Sequence, residues 1–483
     1  MMSINTVLLW VAALIFVSVV SSKLSDKFSI PVLLLFLGVG MLAGSEGVGG
    51  VGFGNARIAE SAGLVALVFI IFAGGFDTKW SDIKPIIKPG MVLSTAGVLI
   101  TALLTGLFAM RILKFSFLEA MLIGSIVSST DAAAVFGVLR SKRIRLKEPL
   151  KPLLEFESGS NDPMAIFLTV CFISLLTAKD MSPYIFIPRF VLNMGVGALS
   201  GIFVSKFIIY LIKRLKLGYE GLYPVILVSL VLLTYSVTIF LKGSGFLAVY
   251  ILGLMLSKSE FPNKKMMMKF HDGLAWLMQI VMFVMLGLLV YPSHIVPLIG
   301  SGLLLTLLLM VIARPVSVFL CLWPFKMSLR EKIMVSWVGL RGSVPIILAT
   351  MPFVSGIGRA DTIFNVVFFV VFASVLIQGT SVPFVSRALQ LCEPAYKKIN
   401  YPIEFEKTDS IDADLADVIV PYGSGAVGKK IGDLSIPNDL LVMLVSRDGK
   451  FIIPKGSTVL EGGDVILALA NKRDLALLND MLS

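Results

Sequence analysis

The sequence predicts an all-α polytopic membrane protein of about thirteen transmembrane helices, followed by a small α+β domain. Two observations carry this prediction. The chain has 483 residues, of which 57% are hydrophobic and only 15% charged, and soluble proteins of this length rarely show such a balance. Apolar runs also recur along most of the chain, and about 20 apolar residues are needed to cross a bilayer as a helix.

The predicted spans follow one another through short loops until hydropathy falls sharply after Arg387. The first span follows MMSINT, which lacks a basic leader and a small-residue cleavage site, so we interpret it as a retained helix and not as a secretory signal. The ninth is short enough to be broken or tilted. The predicted spans are residues 4–22, 29–45, 58–76, 89–111, 117–139, 152–177, 184–212, 221–241, 244–257, 268–291, 294–322, 330–352 and 360–388.

The net charge of +11 reflects orientation in the membrane and does not indicate a nucleic-acid partner. Lys and Arg are concentrated in alternate loops, among them residues 140–151, whereas the opposite loops carry few. Cytoplasmic loops are enriched in Lys and Arg. The sequence therefore predicts a multi-pass protein of the cell (inner) membrane, embedded in the lipid bilayer, with its N-terminus outside and its C-terminal domain in the cytoplasm.

The chain after the last span reads as soluble sequence. We predict a transmembrane domain at 1–390, a linker at 391–409 and a cytosolic domain at 410–483. The segments DVIVPYG, LLVMLVSRDGKFIIP and TVLEGGDVILALA predict strands, with Asp448-Gly449 as a hairpin turn. VGKKIGDL and KRDLALLNDML predict helices, which gives the order β-α-β-β-β-α.

The fifth and the twelfth predicted spans both contain polar or helix-breaking residues. The fifth carries SSTDAAAVFG at 128–137 and the twelfth carries VGLRGSVP at 338–345. If the thirteen spans divide as six, one and six, these two occupy equivalent places in the two halves. Matching interruptions are typical of inverted-repeat transporters, in which broken helices cross near the middle of the membrane.

Of the charged residues within the predicted spans, four are of interest: Asp131, Glu157, Asp162 and Arg341. A charge at the centre of a bilayer costs about 2.5–3.5 kcal/mol on insertion scales, so such residues are functional candidates. Helical spacing places Glu157 with Asn161 and Ser158 with Asp162 on adjacent stripes.

A proline lies directly after these stripes. Pro163 lacks an N–H and frees the carbonyl of Gly159. Carboxylate, hydroxyl and carbonyl oxygens suit a small cation, and a carboxylate can hold a proton instead.

Arg341 needs an anionic partner because its guanidinium stays protonated. We predict Glu157 as that partner, which leaves Asp162 free to titrate. The alternative interpretation is a structural network that holds the broken helices together. It is preferred for Glu157 and Arg341, whereas ion binding is preferred for Asp162, and both remain open for Asp131.

Three segments, SSTDAAAVFGVLR, FESGSNDPMAI and GLRGSVPI, together resemble the signature regions of the NhaP-type branch of monovalent cation/proton antiporters. The similarity spans roughly residues 1–390, and the three segments occur in the expected order. The resemblance implies an inverted-repeat antiporter fold, a secondary transporter and not an enzyme, and a homodimer.

The resemblance also implies roles for single residues. Asp162 would bind cation and proton alternately, assisted by Thr130, Asp131 and Ser158. Glu157 and Arg341 would form a structural ion pair beside Asn161.

Two further features bear on the mechanism. Electrogenic relatives have two aspartates where this chain has an Asn-Asp pair, which implies electroneutral exchange. The chain departs from many relatives at Ala73, where they carry an acidic residue, and Asp77 is predicted too near the membrane edge to replace it.

The tail resembles the C-terminal half of the domain that regulates potassium conductance, called TrkA-C, on the basis of DVIVPYGSGAVGKKIGDL and EGGDVILALA. In similar proteins this domain senses a small ligand, in some cases a cyclic dinucleotide, at a dimer interface. PYGSGAVG is interpreted as a turn into a helix, because the setting of a dinucleotide site is missing. No cofactor is predicted apart from such a regulatory nucleotide, whose identity the residues do not reveal.

The functional prediction is electroneutral K+/H+ exchange at Asp162, regulated by the TrkA-C domain. Na+(Li+)/H+ exchange is the alternative, because site oxygens alone do not define cation size. An intramembrane aspartyl protease built on Asp131 and Asp162 is a remote alternative. Such enzymes favour a Gly-x-Gly-Asp setting on one aspartate, and the only comparable string, EGGD at 461–464, lies in the soluble tail. A gated channel would need a continuous pore.

Overall fold

The structure is a computed structural model that describes residues 3–28, 31–142, 144–178, 183–215, 217–394, 413–434, 436–437, 439–447 and 450–482. The chain divides into two compact units, Met1–Pro394 and Ala395–Ser483. Most of the predicted linker, residues 395–409, and the predicted Asp448-Gly449 turn lie outside the described residues.

The first unit is mostly helical. Within the described residues, nine helices are long and apolar enough to cross a bilayer. Helices suit that environment because every backbone hydrogen bond is made within the segment. The total of thirteen spans stays a prediction. The nine are Ile4–Ser25, Ala56–Asp77, Trp80–Leu113, Leu150–Thr177, Phe186–Arg214, Leu222–Phe240, Lys264–Leu288, Pro292–Leu322 and Ala360–Ala388, and the shorter apolar helices are Val32–Ala43, Phe117–Ile126, Gly245–Lys258 and Ser343–Val354.

Two helical segments are interrupted where the sequence predicts it. The first interruption, residues 127–131, separates Phe117–Ile126 from Ala132–Ser141. The second interruption, residues 338–342, separates Leu329–Trp337 from Ser343–Leu348.

Both interrupted segments begin in the same way. Ser116 with Glu119 and Ser328 with Glu331 each form a capping box, which satisfies backbone donors at the helix start. These matching starts agree with the equivalence of the two segments that the sequence predicts.

The acid helix, Leu150–Thr177, lies between these elements in the chain and carries Glu157 and Asp162. It continues through Pro163 without a break. A proline inside a helix removes one intrahelical hydrogen bond, and packing by neighbouring helices compensates for that loss in membrane proteins.

A small antiparallel ladder, absent from the sequence predictions, joins two distant parts of the first unit. Strand β1, Ile144–Leu146, precedes the acid helix, and strand β2, Cys392–Pro394, follows the last long helix. Arg145 pairs with Glu393 at the centre of the ladder. The N–H of Lys147 also donates to the carbonyl of Leu391 at 3.0 Å. The end of the transmembrane unit is therefore fixed to the loop that leads into the acid helix.

The strands described in the second unit are β3 Asp414–Ile419, β4 Leu441–Arg447, β5 Lys450–Ile452 and β6 Val465–Ala470. They form an antiparallel sheet in the order β3-β6-β4-β5. A helix, Lys472–Leu482, follows the last strand in sequence. The apolar core includes Val445, Ile466 and Leu478.

The helix predicted at VGKKIGDL is wrong. That segment contains only a short 3-10 turn, Ile431–Asp433. Gly428 has a φ of +82°, outside the range of a right-handed helix. The N–H groups of Ile431 and Gly432 donate across the fold to the carbonyls of Thr458 and Gly456. Long-range hydrogen bonds therefore replace the local ones of a helix.

Candidate functional site

The two interruptions meet each other inside the first unit. The N–H of Asp131 donates to the carbonyl of Leu340 at 2.7 Å, so backbone freed at one break satisfies backbone freed at the other. Gly342 permits this approach, because a Cβ at that position would lie 2.1 Å from Oδ2 of Asp131. Gly342 of the second interruption is thus needed for Asp131 of the first interruption to lie at this position.

Asp131 begins the second half of its broken helix. Its side chain accepts a hydrogen bond from the N–H of Ala134 at 3.1 Å, an N-cap that satisfies one of the free donors at a helix start. The predicted ion-binding residue therefore also holds the local backbone in place.

The acid helix binds the first interruption through two polar side chains. The hydroxyl of Ser158 donates to the carbonyl of Thr130 at 2.9 Å and accepts from the N–H of Ala132 at 3.1 Å. The amide of Asn161 donates to the hydroxyl of Thr130 at 2.5 Å. These contacts bring together Thr130, Ser158 and Asn161. The roles that the resemblance implies for them stay predictions.

Asp162 is buried, with 7% of its surface exposed, and its Oδ1 accepts a hydrogen bond from the hydroxyl of Ser129 at 2.5 Å. Within the described part of the chain, Asp162 has no salt-bridge partner, and the carboxylate of Asp131 lies within electrostatic range. Burial without a fixed counter-ion is costly for an ionised carboxyl. The site therefore suits a carboxylate that carries a proton or a mobile cation.

The ion pair predicted between Glu157 and Arg341 is not the one the structure contains. Glu157 pairs with Arg314, whose Nη2 lies 2.7 Å from Oε1 and 2.9 Å from Oε2. Arg314 comes from the Pro292–Leu322 helix, and Gly339 leaves room for its guanidinium, since a Cβ there would lie 2.8 Å from Nε. The buried glutamate is thus neutralised by a residue that the sequence analysis did not consider.

Arg341 instead binds backbone oxygens of the first interruption. Its Nη1 donates to the carbonyls of Ser128 at 2.6 Å and of Ser129 at 2.8 Å. A broken helix leaves carbonyls without intrahelical partners, and a guanidinium satisfies two of them at once. The alternative of a structural network is therefore compatible with the position of Arg341.

Ser129 and Arg314 are the residues that sequence reasoning missed. Arg314 had a detectable signal, because it is a lone basic residue in a long apolar run. Ser129 had a weaker one, since serine is common in membrane helices and nothing in the spacing singles it out from Ser128.

The departure at Ala73 is buried and apolar in the structure. Asp77 lies at the end of the same helix and lines a cavity of about 300 Å³. Glu155 and Lys151 of the acid helix line the same cavity, and Glu155 precedes Asp162 by two helical turns. Asp77 is therefore part of this cavity wall, and no contact between Asp77 and Asp162 is observed among the described residues.

Comparison with known proteins agrees with this architecture. The sodium/hydrogen exchanger transmembrane model matches residues 11–388 and the TrkA-C domain model matches residues 415–483. The K(+)/H(+) antiporter NhaP of Alkalimonas amylolytica is 37% identical over 491 residues, covering 100% of this chain and 84% of that relative. The Na(+)/H(+) antiporter 1 of Methanocaldococcus jannaschii is 30% identical over 355 residues, covering 71% of this chain and 82% of that relative.

A solved structure is also similar. The sodium proton antiporter MjNhaP1 from Methanocaldococcus jannaschii superposes with a TM-score of 0.69 at 26% identity, covering 78% of this chain and 100% of that one. The fold and site thus define a membrane protein with an NhaP-like antiporter fold. The chain belongs to the sodium/hydrogen exchanger transmembrane family, and it carries a C-terminal TrkA-C domain.

Proposed function

We propose that this protein is an electroneutral K+/H+ antiporter of the cell membrane, in which Asp162 holds either a proton or a cation. The observation that carries the proposal is a buried carboxylate that has no fixed counter-ion among the described residues, placed where two interrupted helices meet. Exposing a bare charge to the membrane interior is unfavourable, so a neutral or cation-paired carboxyl favours passage between the two faces. This requirement couples proton movement to cation movement in the opposite direction.

The oxygen atoms around the first interruption support a cation site. The hydroxyl of Ser129 contacts Asp162, and the neighbouring Thr130 and Ser158 bond the interruption to the acid helix. The carboxylate of Asp131 lies within electrostatic range of Asp162. Carboxylate, hydroxyl and carbonyl oxygens are the ligands that hard cations prefer. One exchangeable acid supports one proton per cation, because the companion carboxylate, Glu157, already has Arg314 as its partner.

Potassium is proposed as the cation because the relative that matches over the whole chain is named a K(+)/H(+) antiporter. Sodium is the second candidate, since the relative from Methanocaldococcus jannaschii is named a Na(+)/H(+) antiporter and the similar solved structure is of a sodium proton antiporter. The two assignments differ in cation size, which the oxygen types do not resolve.

We also propose that the TrkA-C domain regulates exchange from the cytoplasm. Strand β2 ends at Pro394, where the chain leaves the transmembrane unit, and it pairs with β1 next to the acid helix. A force or ordering change at the end of the unit therefore has a short route to the site. By the family resemblance, we propose a homodimer.

Exchange in proteoliposomes tests the proposal. Purified full-length protein is reconstituted with an imposed pH gradient, and K+, Na+ or Li+ is added to the outside. K+ is expected to dissipate the gradient most strongly, at a rate that does not depend on membrane potential. A response to Na+ alone would establish the second candidate, and no response to any alkali cation would contradict the antiporter assignment.

The same assay tests the tail. A variant truncated after Pro394 keeps the β1–β2 ladder and lacks the TrkA-C domain. We expect altered rates with retained cation preference. Identical rates for the truncated and full-length proteins, with and without cyclic dinucleotides, would contradict regulation.

A further inference from the structure

Ser129 contacts both charged parts of the site at once. Its hydroxyl donates to Oδ1 of Asp162, and its carbonyl accepts from Nη1 of Arg341 at 2.8 Å. Its side chain is buried, with 1% of the residue exposed. The guanidinium of Arg341 therefore holds the backbone of Ser129, while the Ser129 hydroxyl is directed at Asp162, the acid that we propose to carry the ion.

We infer that the Ser129 hydroxyl is a displaceable hydrogen-bond donor that sets the competition between proton and cation at Asp162. The inference rests on the proposed function and adds a positioning residue to it. In the absence of a cation, the hydroxyl donates a hydrogen bond to the ionised carboxylate, and this bond favours the ionised form over the protonated form. Asp162 therefore stays ionised, and available to a cation, at a proton concentration that would otherwise protonate it.

The same hydroxyl can also face a bound cation. A serine hydroxyl has one donor and two acceptor lone pairs, and its hydrogen rotates freely about the C–O bond. When a cation arrives at Asp162, rotation turns the hydrogen away and presents oxygen to the ion. Because Arg341 holds the Ser129 carbonyl, this exchange needs no backbone movement.

The other charged groups near the site do not replace this donor. Asp131 is a carboxylate that already accepts from Ala134, and it acts on Asp162 only as a second negative charge. Glu157 is neutralised by Arg314. Arg341 reaches Asp162 through Ser129 and not directly. Removal of the hydroxyl therefore leaves Asp162 without the hydrogen-bond donor that the structure assigns to it.

Ser129→Ala in the full-length protein tests the inference. Its pH profile of exchange is expected to move to higher pH by about one unit, because the protonated acid is favoured when the donor is lost. At a fixed pH on the rising limb, the apparent KM for K+ is expected to increase about tenfold. The difference in apparent KM between Ser129→Ala and the wild type is expected to shrink as the pH rises above both profiles, since protons no longer compete there.

Two further variants separate this effect from a structural one. Ser129→Thr keeps the hydroxyl and is expected to restore the wild-type profile. Ser125→Ala is a matched control, because that buried serine donates only to the carbonyl of Met121 within its own helix, and its profile is expected not to move.

Proton release on adding K+ to detergent-purified protein gives a second readout that does not require turnover. Its midpoint should move in the same direction in Ser129→Ala. A Ser129→Ala profile that superimposes on the wild type, or a loss of maximal rate with an unmoved profile, would overturn the inference. Absence of exchange in the wild type would instead contradict the proposed function.

Discussion

The two units of the molecule each bury an aspartate, and they treat its charge in opposite ways. In the tail, Asp464 is 1% exposed and accepts from Nε of Arg447 at 2.9 Å, from Nη2 of Arg447 at 2.8 Å and from the N–H of Glu461 at 2.9 Å. In the membrane unit, Asp162 is 7% exposed, and among the residues that the structure describes it accepts from one neutral hydroxyl, that of Ser129. The two aspartates are thus similarly buried, but the charge of Asp464 is compensated by an arginine and that of Asp162 is met by a neutral hydroxyl.

The difference separates a structural carboxylate from an exchangeable one. A buried acid with a bidentate arginine has its counter-ion supplied by the fold, and removing that arginine leaves an uncompensated charge. A buried acid without one must take a proton or a mobile cation. Glu157, paired with Arg314, belongs with Asp464 although it lies on the same helix as Asp162.

The largest expected effect separates the two aspartates by function. Asp162→Asn should reduce exchange to the background of empty liposomes, because a neutral amide neither binds a proton nor compensates the charge of a cation. It should leave thermal stability unchanged, since the amide oxygen still accepts from Ser129. Asp464→Asn should retain exchange. Cation-driven pH changes in proteoliposomes and thermal unfolding in detergent measure both variants, and substantial exchange by Asp162→Asn would remove the distinction.

A second prediction concerns the partner of Glu157. Arg314→Met should lower the free energy of unfolding by about 3–5 kcal/mol, because it leaves a buried glutamate unpaired. The double variant Glu157→Met/Arg314→Met should recover part of that loss.

A double-mutant cycle measured by thermal unfolding in detergent tests this pair. The coupling of Glu157 to Arg314 should exceed its coupling to Arg341, which contacts the Ser128 and Ser129 carbonyls. The reverse order would restore the pair expected from sequence.

A smaller effect is expected in the tail. Arg447→Met should destabilise the sheet by about 2 kcal/mol, since charged hydrogen bonds to Asp464 and Glu461 are lost. Hydrogen exchange of β4 and β6 in the full-length protein measures this. Arg473→Met, on the exposed face of the last helix, is the control and should leave exchange protection unchanged.

The pairing of Arg447 with Asp464 also predicts that the stability of the tail depends on pH. Burial acts to raise the pKa of Asp464, but hydrogen bonds from Arg447 and from the Glu461 backbone hold the pKa below its usual range. The resulting stabilisation is present above the unfolded pKa of about 3.9 and is lost as pH falls through the lower folded pKa. Arg447→Met should therefore weaken the fall of tail stability at acid pH. An unchanged fall would count against the stabilising role of the Arg447–Asp464 contact.

Sequence patterns predicted the features that local chemistry determines. Long apolar runs predict helices because a bilayer demands internal hydrogen bonding, and the polar residues at 128–131 and Gly339, Gly342 and Pro345 mark where that bonding fails. The four-residue spacing of Ser158 and Asp162 likewise placed two site residues on one side of the acid helix.

Features that depend on distant contacts were not predictable in this way. Glu157 has two buried arginines within electrostatic range, and sequence alone does not reveal which one it contacts. The β1–β2 ladder joins segments almost 250 positions apart, with short strands that carry little pattern of their own. The VGKKIGDL segment, predicted as a helix, instead makes hydrogen bonds to residues 456–460, which lie far along the chain from any local partner.

The account depends most directly on Asp162 exchanging one proton for one cation. Proton release from detergent-purified protein, measured on adding saturating K+ at a pH below the rising limb of exchange, where Asp162 is protonated, tests that claim without transport. The wild type is expected to release close to one proton per chain, Asp162→Asn none, and Asp464→Asn the wild-type amount. Equal release from Asp162→Asn and the wild type would contradict the account.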